Sequence, residues 1–587
     1  MGESFICNPS ASVARGIEDL IIKGENSNSL VLTASCHLLS RFMSVTVFPT
    51  FLALELLFKR VPKLLLSIPF SRSDQVASQK FHKNSQKIEK FCLGILFSPL
   101  GIRSPDGVSG LFLKNIKSNR VIRPFGVETQ YGREIPGQGI QYPESVEELK
   151  ELVKQAKREN KQVSVIGAGM SQGAQTVPAN DNCLVINMSR LKSLTFSEDN
   201  QTATVQAGAT WEEIQIEANK RGMSVIVKQA SDLFTVGGSI GINCHGWAHK
   251  DGAIASTVES LDIIDANGDL RTLTPDDEMF GCMFGTLGYF GVIVSARLKL
   301  TANEHLIEKT TEVSLDEFIT HYKTHIKDQD IPLFGGRLVL DNLDGNPLRQ
   351  VCMVTYEKDT AVAEAQQAIP VLTQDFTPEP KAGTRIERIA LQALSRLSYF
   401  TTRRLINKFW SKERQVMLEG RKLTRNEALH PPINAFRMLQ NSNLHAQWLQ
   451  EYFIKEENLP NFLRFLGAQL KANEVRLVNA TIRPTPQDNI SVLPYAEQDR
   501  YAVVICFSQL KTEKEIERTK NWIQEVNQYL VTQGDVYYQA YMPYATQEQF
   551  EQCYGAERVA NLRRLKQQYD PTHVFSNGHT QKYYDVT

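Results

Sequence analysis

The stretch Val236-Gly237-Gly238-Ser239-Ile240-Gly241-Ile-Asn-Cys-His245-Gly246-Trp-Ala-His249-Lys-Asp-Gly252 packs five glycines and two histidines into seventeen residues. Glycines at this density let backbone amides come against a large ligand where a Cβ would obstruct. His245 is the catalytic candidate of the stretch; a loop histidine bonded to backbone is the alternative. Two further glycine loops flank it, Val165-Ile166-Gly167-Ala168-Gly169-Met170-Ser171-Gln-Gly173 and Phe284-Gly-Thr-Leu-Gly288-Tyr-Phe-Gly291-Val-Ile293. Three such loops, separated by strand-like segments, point to one extended ligand held from several sides.

Other chemistries are disfavoured. His245 and His249 stand at i, i+4, but Gly246 lies between them and no acid or cysteine follows at metal spacing, so no metal is expected. Nine scattered cysteines form no CxxC pair, which excludes a disulfide framework and a zinc knuckle and fits a reducing compartment. Lys+Arg and Asp+Glu balance at 65 each, so there is no basic face for nucleic acid. A dinucleotide fingerprint needs its third glycine at position 172, which is Gln, and an acid closing a βαβ unit. The first loop can still cradle a pyrophosphate with its amides.

The elements that position these loops read as α+β. Ser145 caps a helix from Pro143 to Lys157, with Glu148 completing a capping box and Val146, Leu149, Leu152, Val153 and Ala156 on one face. Gln162–Ile166 is a strand entering the first loop. Strands follow at Cys183–Asn187, Thr202–Ala207 and Leu261–Ala266, the last turning at Asn267-Gly268 into Leu270–Leu273. Thr210–Lys220 is a second helix. Beyond 303, strands and helices alternate, with a polar helical insertion at about 360–440 and strands at Ala446–Phe453, Arg476–Arg483 and Tyr501–Phe507.

Residues 1–117 differ. Phe42 to Phe58 is apolar with one acid, shorter than the roughly 20 residues of a membrane span, and basic residues rim it. Apolar helices with basic rims suit a membrane surface, here through residues 30–100; a helical hairpin buried on the main body is the other reading. Residues 1–27 lack an early apolar core, so no secretory leader is expected, and the location expected is cytoplasmic, with the membrane surface as its variant.

Taken in order, Ile140-Gln-Tyr-Pro-Glu-Ser-Val-Glu-Glu-Leu, Ile166-Gly-Ala-Gly-Met-Ser-Gln-Gly, Val236-Gly-Gly-Ser-Ile-Gly, Val258-Glu-Ser-Leu-Asp-Ile-Ile-Asp-Ala-Asn-Gly and Gly285-Thr-Leu-Gly-Tyr-Phe-Gly-Val-Ile resemble the vanillyl-alcohol oxidase flavoproteins with a PCMH-type FAD-binding domain. The nearest subgroups look like aldonolactone and alditol oxidases and decaprenylphosphoryl-ribose oxidase. The resemblance implies a two-part FAD-binding domain at 118–302, a substrate-binding cap domain at 303–540, a segment at 541–587 returning to the FAD domain, and a helical extension at 1–117. It implies FAD, with pyrophosphate contacts from Ile166, Gly167, Ala168, Gly169, Met170, Ser171 and Gly173. Gly238, Ser239, Ile240, His245 and Gly246 would lie along the ribityl chain and ring, Ile293 near the cofactor by backbone contacts, and Gly237, Gly241 and Gly252 would also bind it.

Met170 stands where many members carry a flavin-tethering His, so FAD held without a covalent bond is expected. Thr481-Ile-Arg483 is similar to a Glu-Ile-Arg motif whose Arg assists alcohol oxidation; here the Arg is kept and the acid is not. A guanidinium there would stabilise a developing alkoxide. Tyr541 stands at a family lysine position, with Tyr538 three residues earlier. Either phenol could donate a hydrogen bond or, with its pKa lowered, act as base. Asp232 lies near the position of a catalytic acid in cytokinin dehydrogenases, at imperfect spacing. The activity implied is oxidation of a C–OH group of a polyol, sugar lactone or glycosyl lipid, with electrons passing on to oxygen or a quinone. Two other readings stay open: a flavin-dependent reductase of lipid or sterol double bonds, and a membrane-associated FAD protein without catalysis.

Overall fold

The computed structural model describes residues 140–180, 182–340, 348–361, 418, 420–430, 445–510 and 513–585. The N-terminal extension with its membrane reading, and most of the 360–440 insertion, lie outside the described residues. Among the described residues, no helix is long and apolar enough to cross a membrane.

Three sheets carry the fold. In the first, β1 (Ile140–Gln141), β2 (Gln162–Ile166) and β3 (Cys183–Asn187) run parallel in the order β1-β3-β2. Helix α1 (Val146–Arg158) makes the crossover from β1 to β2 and buries Leu149, Val153 and Ala156. Its cap differs in detail from a capping box. Ser145 accepts from the Glu148 amide, but the Glu148 carboxylate reaches past Ser145 to the Glu144 amide at 2.8 Å. The exposed start of the helix leaves that donor free to compete for it.

The second sheet holds β4 (Leu194–Phe196), β5 (Thr202–Gln206), β6 (Met223–Val225), β7 (Val258–Ile264), β8 (Leu270–Leu273) and β9 (Val292–Ala302). The long β9 is its spine and pairs with β5, β6 and β7. The β7–β8 hairpin turns at Gly268, whose φ of 78° suits a residue without a Cβ. Helix α2 (Trp211–Asn219) starts at a full capping box from Thr210 and Glu213. The stretch read as a glycine loop opens with a short helix, α3 (Val236–Gly241), and continues as a loop to Gly252. The helix forms because Gly237 can sit against Ala207 beside β5; an added Cβ would lie 2.7 Å from the Ala207 Cβ.

The third sheet has eight described strands: β10 (His305–Ser314), β11 (Leu333–Leu338), β12 (Gln350–Lys358), β13 (Arg421–Thr424), β14 (His445–Ile454), β15 (Arg476–Thr485), β16 (Arg500–Leu510) and β17 (Val536–Tyr537). Their order is β13-β10-β12-β11-β15-β16-β14-β17. One face packs on α4 (Leu459–Ala472) and α5 (Glu513–Gln533), with Phe507 against Trp522 and Tyr452 against Phe462. The other face meets the glycine loops.

Pairing puts side chains on that second face in register. Asn479 and Leu449 both pair with Cys506, Thr481 and Glu451 with Val504, and Arg483 and Phe453 with Ala502. A bulge at Val478 makes this phase. Leu477 pairs with Phe507 on the helix side, and the extra residue turns Asn479 to the opposite face. The tail closes the molecule. Beside β2, the Val163 amide donates to the Val574 carbonyl, and Ser576 donates back to Val163.

Candidate active site

The first and third sheet regions and α3 enclose a cavity of about 340 Å3. From the first loop it is lined by Gly167, Ala168, Gly169, Met170 and Ser171; from the second by Gly237, Gly238, Gly241, Cys244 and His245; and from the third by Leu287, Gly288, Gly291 and Ile293. Asn479, Thr481, Arg483, Leu449, Glu451, Val504 and Cys506 of the large sheet close the opposite wall, with Tyr538 and Tyr541 from the tail. The chain thus brings all three glycine loops and all four expected catalytic side chains to one cavity.

Six expected cofactor residues lie off the lining. Ile166 is buried in the first sheet, and Gly173 packs against Gln175 and the Tyr541 carbonyl. Ser239 accepts from the Trp211 indole at 2.9 Å and donates to the Thr235 carbonyl, so it faces the core, as does the fully buried Ile240. Gly246 sits on the Lys228 carbonyl, and Gly252, at φ 73°, lies beside Pro486.

Each loop is locked from behind. Gln172, where the dinucleotide fingerprint wanted glycine, accepts from the Leu449 amide at 2.7 Å and ties the first loop to β14. Trp247 crosses from the second loop to the large sheet and lies on Gly335, where a Cβ would meet the ring at 1.8 Å; the Arg483 guanidinium lies over the same ring. The third loop turns through Gly285, Leu287 and Gly288, all at positive φ. The Leu287 amide donates to Gly241, and its carbonyl accepts from Asn577 of the tail at 2.9 Å.

The catalytic candidates differ in what they are free to do. His245 is 5% exposed, and its Nε2 lies 2.5 Å from a carboxylate oxygen of Glu451, itself 2% exposed. Phe453, Tyr495 and Tyr538 pack around the imidazole. Tyr538 donates to the Ile242 carbonyl at 2.7 Å, which commits its hydroxyl to the second loop. Tyr541 lies within hydrogen-bond reach of Glu451.

The reading of either tyrosine as a base is corrected here. Burial first, then neighbouring groups that include the Glu451 carboxylate, push both phenols well above 10, so both stay protonated and act as donors. Burial lowers the Arg483 pKa while Glu451 and Tyr541 oppose it, and the guanidinium remains charged. Its Nε and the Thr481 hydroxyl are buried without partners, aimed at space that a ligand would fill.

Asp232 is not at the site: it is buried in ion pairs with Lys228 and His430. His249 is also remote, its ring bonded to the Tyr322 hydroxyl and the Ile331 carbonyl, each at 3.0 Å. Sequence reasoning missed Glu451. The signal was present in Trp448-Leu-Gln-Glu451-Tyr-Phe, an acid inside an apolar strand, where burial demands a partner.

An FAD binding domain model matches residues 137–274, and a D-arabinono-1,4-lactone oxidase model matches residues 340–583. The chain thus carries a PCMH-type FAD-binding domain followed by a D-arabinono-1,4-lactone oxidase domain. L-gulonolactone oxidase of Bos taurus is 24% identical over 458 residues, 75% of this chain and 93% of that protein. Decaprenylphosphoryl-beta-D-ribose oxidase of Mycolicibacterium smegmatis is 30% identical over 166 residues, covering 27% and 36% of the two chains. D-arabinono-1,4-lactone oxidase of Candida glabrata is 27% identical over 175 residues, covering 29% and 33%. A solved structure of an Arabidopsis thaliana BBE-like protein, #28, shares the fold, with a TM-score of 0.55 and 16% identity over 81% of this chain and 97% of that one.

The chain is therefore an FAD-dependent oxidoreductase of the aldonolactone oxidase type, acting on CH–OH donors. The cavity fits that cofactor. At Gly241 and Gly288 an added Cβ would meet nothing within 4 Å, so backbone there opens directly on the cavity, as a planar ring and a pyrophosphate require.

Proposed function

We propose that this flavoenzyme oxidises a secondary hydroxyl of a sugar lactone or closely related polyol. FAD, when bound, supplies the acceptor for the hydride. The polar row on the large sheet supports the reading most directly: Asn479, Thr481 and Arg483 face the glycine loops, and two of them carry unpartnered polar atoms. Arg483, seated over Trp247, holds the substrate oxygen and stabilises charge that develops on it. Tyr541 stands beside it with its hydroxyl on Glu451, Thr481 and Asn479 orient the other hydroxyls, and Tyr538 fixes the second loop against the reacting edge. The packed wall from Leu449 to Cys506 excludes water from the C–H that is broken.

The first loop and α3 hold the cofactor by fit and hydrogen bonds alone. The Met170 thioether forms no tether, and the His245 Nε2 is already engaged by Glu451. Anaerobic bleaching of the bound flavin against aldonolactones, polyols and prenyl-linked sugars tests the substrate class. Rapid bleaching by a lactone or polyol is the expected outcome; bleaching by a reduced nicotinamide alone would overturn it in favour of a reductase. Acid precipitation should leave the yellow colour in the supernatant, and a yellow pellet would overturn the non-covalent reading. Reoxidation by air, compared with reoxidation by a quinone, decides the acceptor.

A further inference from the structure

We infer that Glu451 is the catalytic base of this enzyme, the group that receives the substrate's hydroxyl proton. The inference rests on the alcohol-oxidation reading above and adds a residue to it. Thr481 has no acid–base chemistry at neutral pH, both cavity tyrosines stay protonated, and Arg483 stays charged, so none of them takes a proton. Glu451 is the carboxylate on the cavity wall.

Its place in the sheet is specific. Thr481 on β15 and Glu451 on β14 both pair with Val504 of the strand between them. The two side chains therefore lie in one row on one face, Glu451 two strands over from Thr481. Arg483 stands two residues along β15 on that same face, near enough for its charge to be felt by Glu451's neighbours. A substrate oxygen held by Arg483 would then have the carboxylate across the row from it.

The surroundings keep Glu451 ready to act. A carboxylate 2% exposed needs compensation, and it has it from the His245 Nε2 at 2.5 Å, from the Tyr541 hydroxyl and from the Arg483 charge. Its own backbone carbonyl accepts from the Tyr538 amide at 2.9 Å, which fixes β14 against the tail. His245 is thereby a positioning residue, holding the carboxylate toward the cavity. The step balances. The substrate O–H bond breaks and its proton goes to Glu451; the C–H bond breaks and its electron pair leaves with the hydrogen to FAD; the carbon–oxygen double bond forms. Alcohol is oxidised and FAD reduced.

The test uses Glu451→Gln and Glu451→Asp in the FAD-loaded full chain, compared with wild type in anaerobic stopped-flow bleaching by a lactone that reduces the wild-type flavin. We expect Glu451→Gln to bleach about 10²–10³-fold more slowly at pH 7 with the lactone concentration at half-maximal rate little changed, and Glu451→Asp to recover part of the rate. The pH dependence of the wild-type rate should lose its acidic limb in Glu451→Gln. A readout without turnover accompanies it. In holoprotein carrying labelled histidine, the His245 ring resonances at pH 7 should shift in Glu451→Gln, since the carboxylate against its Nε2 has been replaced by an amide.

A Glu451→Gln protein that retains FAD and bleaches at the wild-type rate overturns the assignment and leaves the proposed activity standing. His245 resonances unmoved by the substitution also overturn it. A wild-type flavin that no lactone or polyol bleaches overturns both the assignment and the activity.

Discussion

At the scale of single residues, Arg483 shows how position decides chemistry. An arginine on a strand is ordinarily an outward salt-bridge partner, and the sequence alone could not exclude that. In the fold its guanidinium lies 5.4 Å over the Trp247 ring, and its Nε has no partner. Stacking fixes the plane of the fork, which a lysine cannot reproduce. We therefore predict that Arg483→Lys lowers the rate of flavin reduction about 100-fold, with FAD content unchanged, because the lost interaction is made to charge that develops during the reaction. Stopped-flow bleaching at saturating lactone measures this; a variant with normal rate and only weaker substrate binding would show that Arg483 merely binds. The same scale shows where reading by type fell short. The sequence offered tyrosines at the proton-transfer position, and only burial beside a carboxylate revealed that they hold their protons.

At the scale of elements, the site depends on how the tail grips the third loop. Lys566 and Asp570 are both fully buried and paired at 2.7 Å. The lysine also donates to the Phe575 carbonyl at 2.8 Å and to the Tyr289 carbonyl, and the aspartate accepts from the Val574 and Phe575 amides at 2.9 Å. Breaking such a pair leaves a charge without compensation, at a cost of about 3–5 kcal/mol. Asp570→Ala should lower the melting temperature and weaken FAD binding together, because Leu287 and Gly288 on the same loop line the cavity. Titration with FAD and thermal melting check this, and a destabilised variant with unchanged FAD affinity would uncouple the clamp from the cofactor. Helices and strands around this region were legible: the helix read at Thr210–Lys220 and the strands read at Gln162–Ile166 and Arg476–Arg483 occur as Trp211–Asn219, Gln162–Ile166 and Arg476–Thr485. The facing of β15 was not. A period of two from Leu477 sends Asn479, Thr481 and Arg483 to the helix side, and the bulge at Val478 that reverses them leaves no mark on composition. Glu451 stayed hidden for a related reason, since its partners His245 and Tyr541 lie 206 and 90 positions away in the chain.

At the scale of the whole molecule, two buried histidines hold distant parts together and set how it responds to acid. His249 joins the second loop to Tyr322 and Ile331 beside the large sheet, and His579 joins the tail helix to Gln539. Burial lowers both, to about 4 for His249 and to about 3 for His579, against 6.5 for a free imidazole. Both are therefore neutral in the fold, while the unfolded chain takes up two protons below about pH 6.5. Stability from these groups is full above that pH. As pH falls from 6.5 toward 4 the unfolded state binds more protons than the folded one, and each histidine removes about 1.4 kcal/mol per pH unit. Thermal melting should thus fall steadily between pH 6.5 and 5, before most carboxylates titrate. His579→Gln, which keeps a neutral polar side chain beside Gln539, should lose about half of that slope. A melting temperature unchanged between pH 7 and 5 would mean that these histidines accept protons in place, and that the contacts between loop, sheet and tail survive their charging.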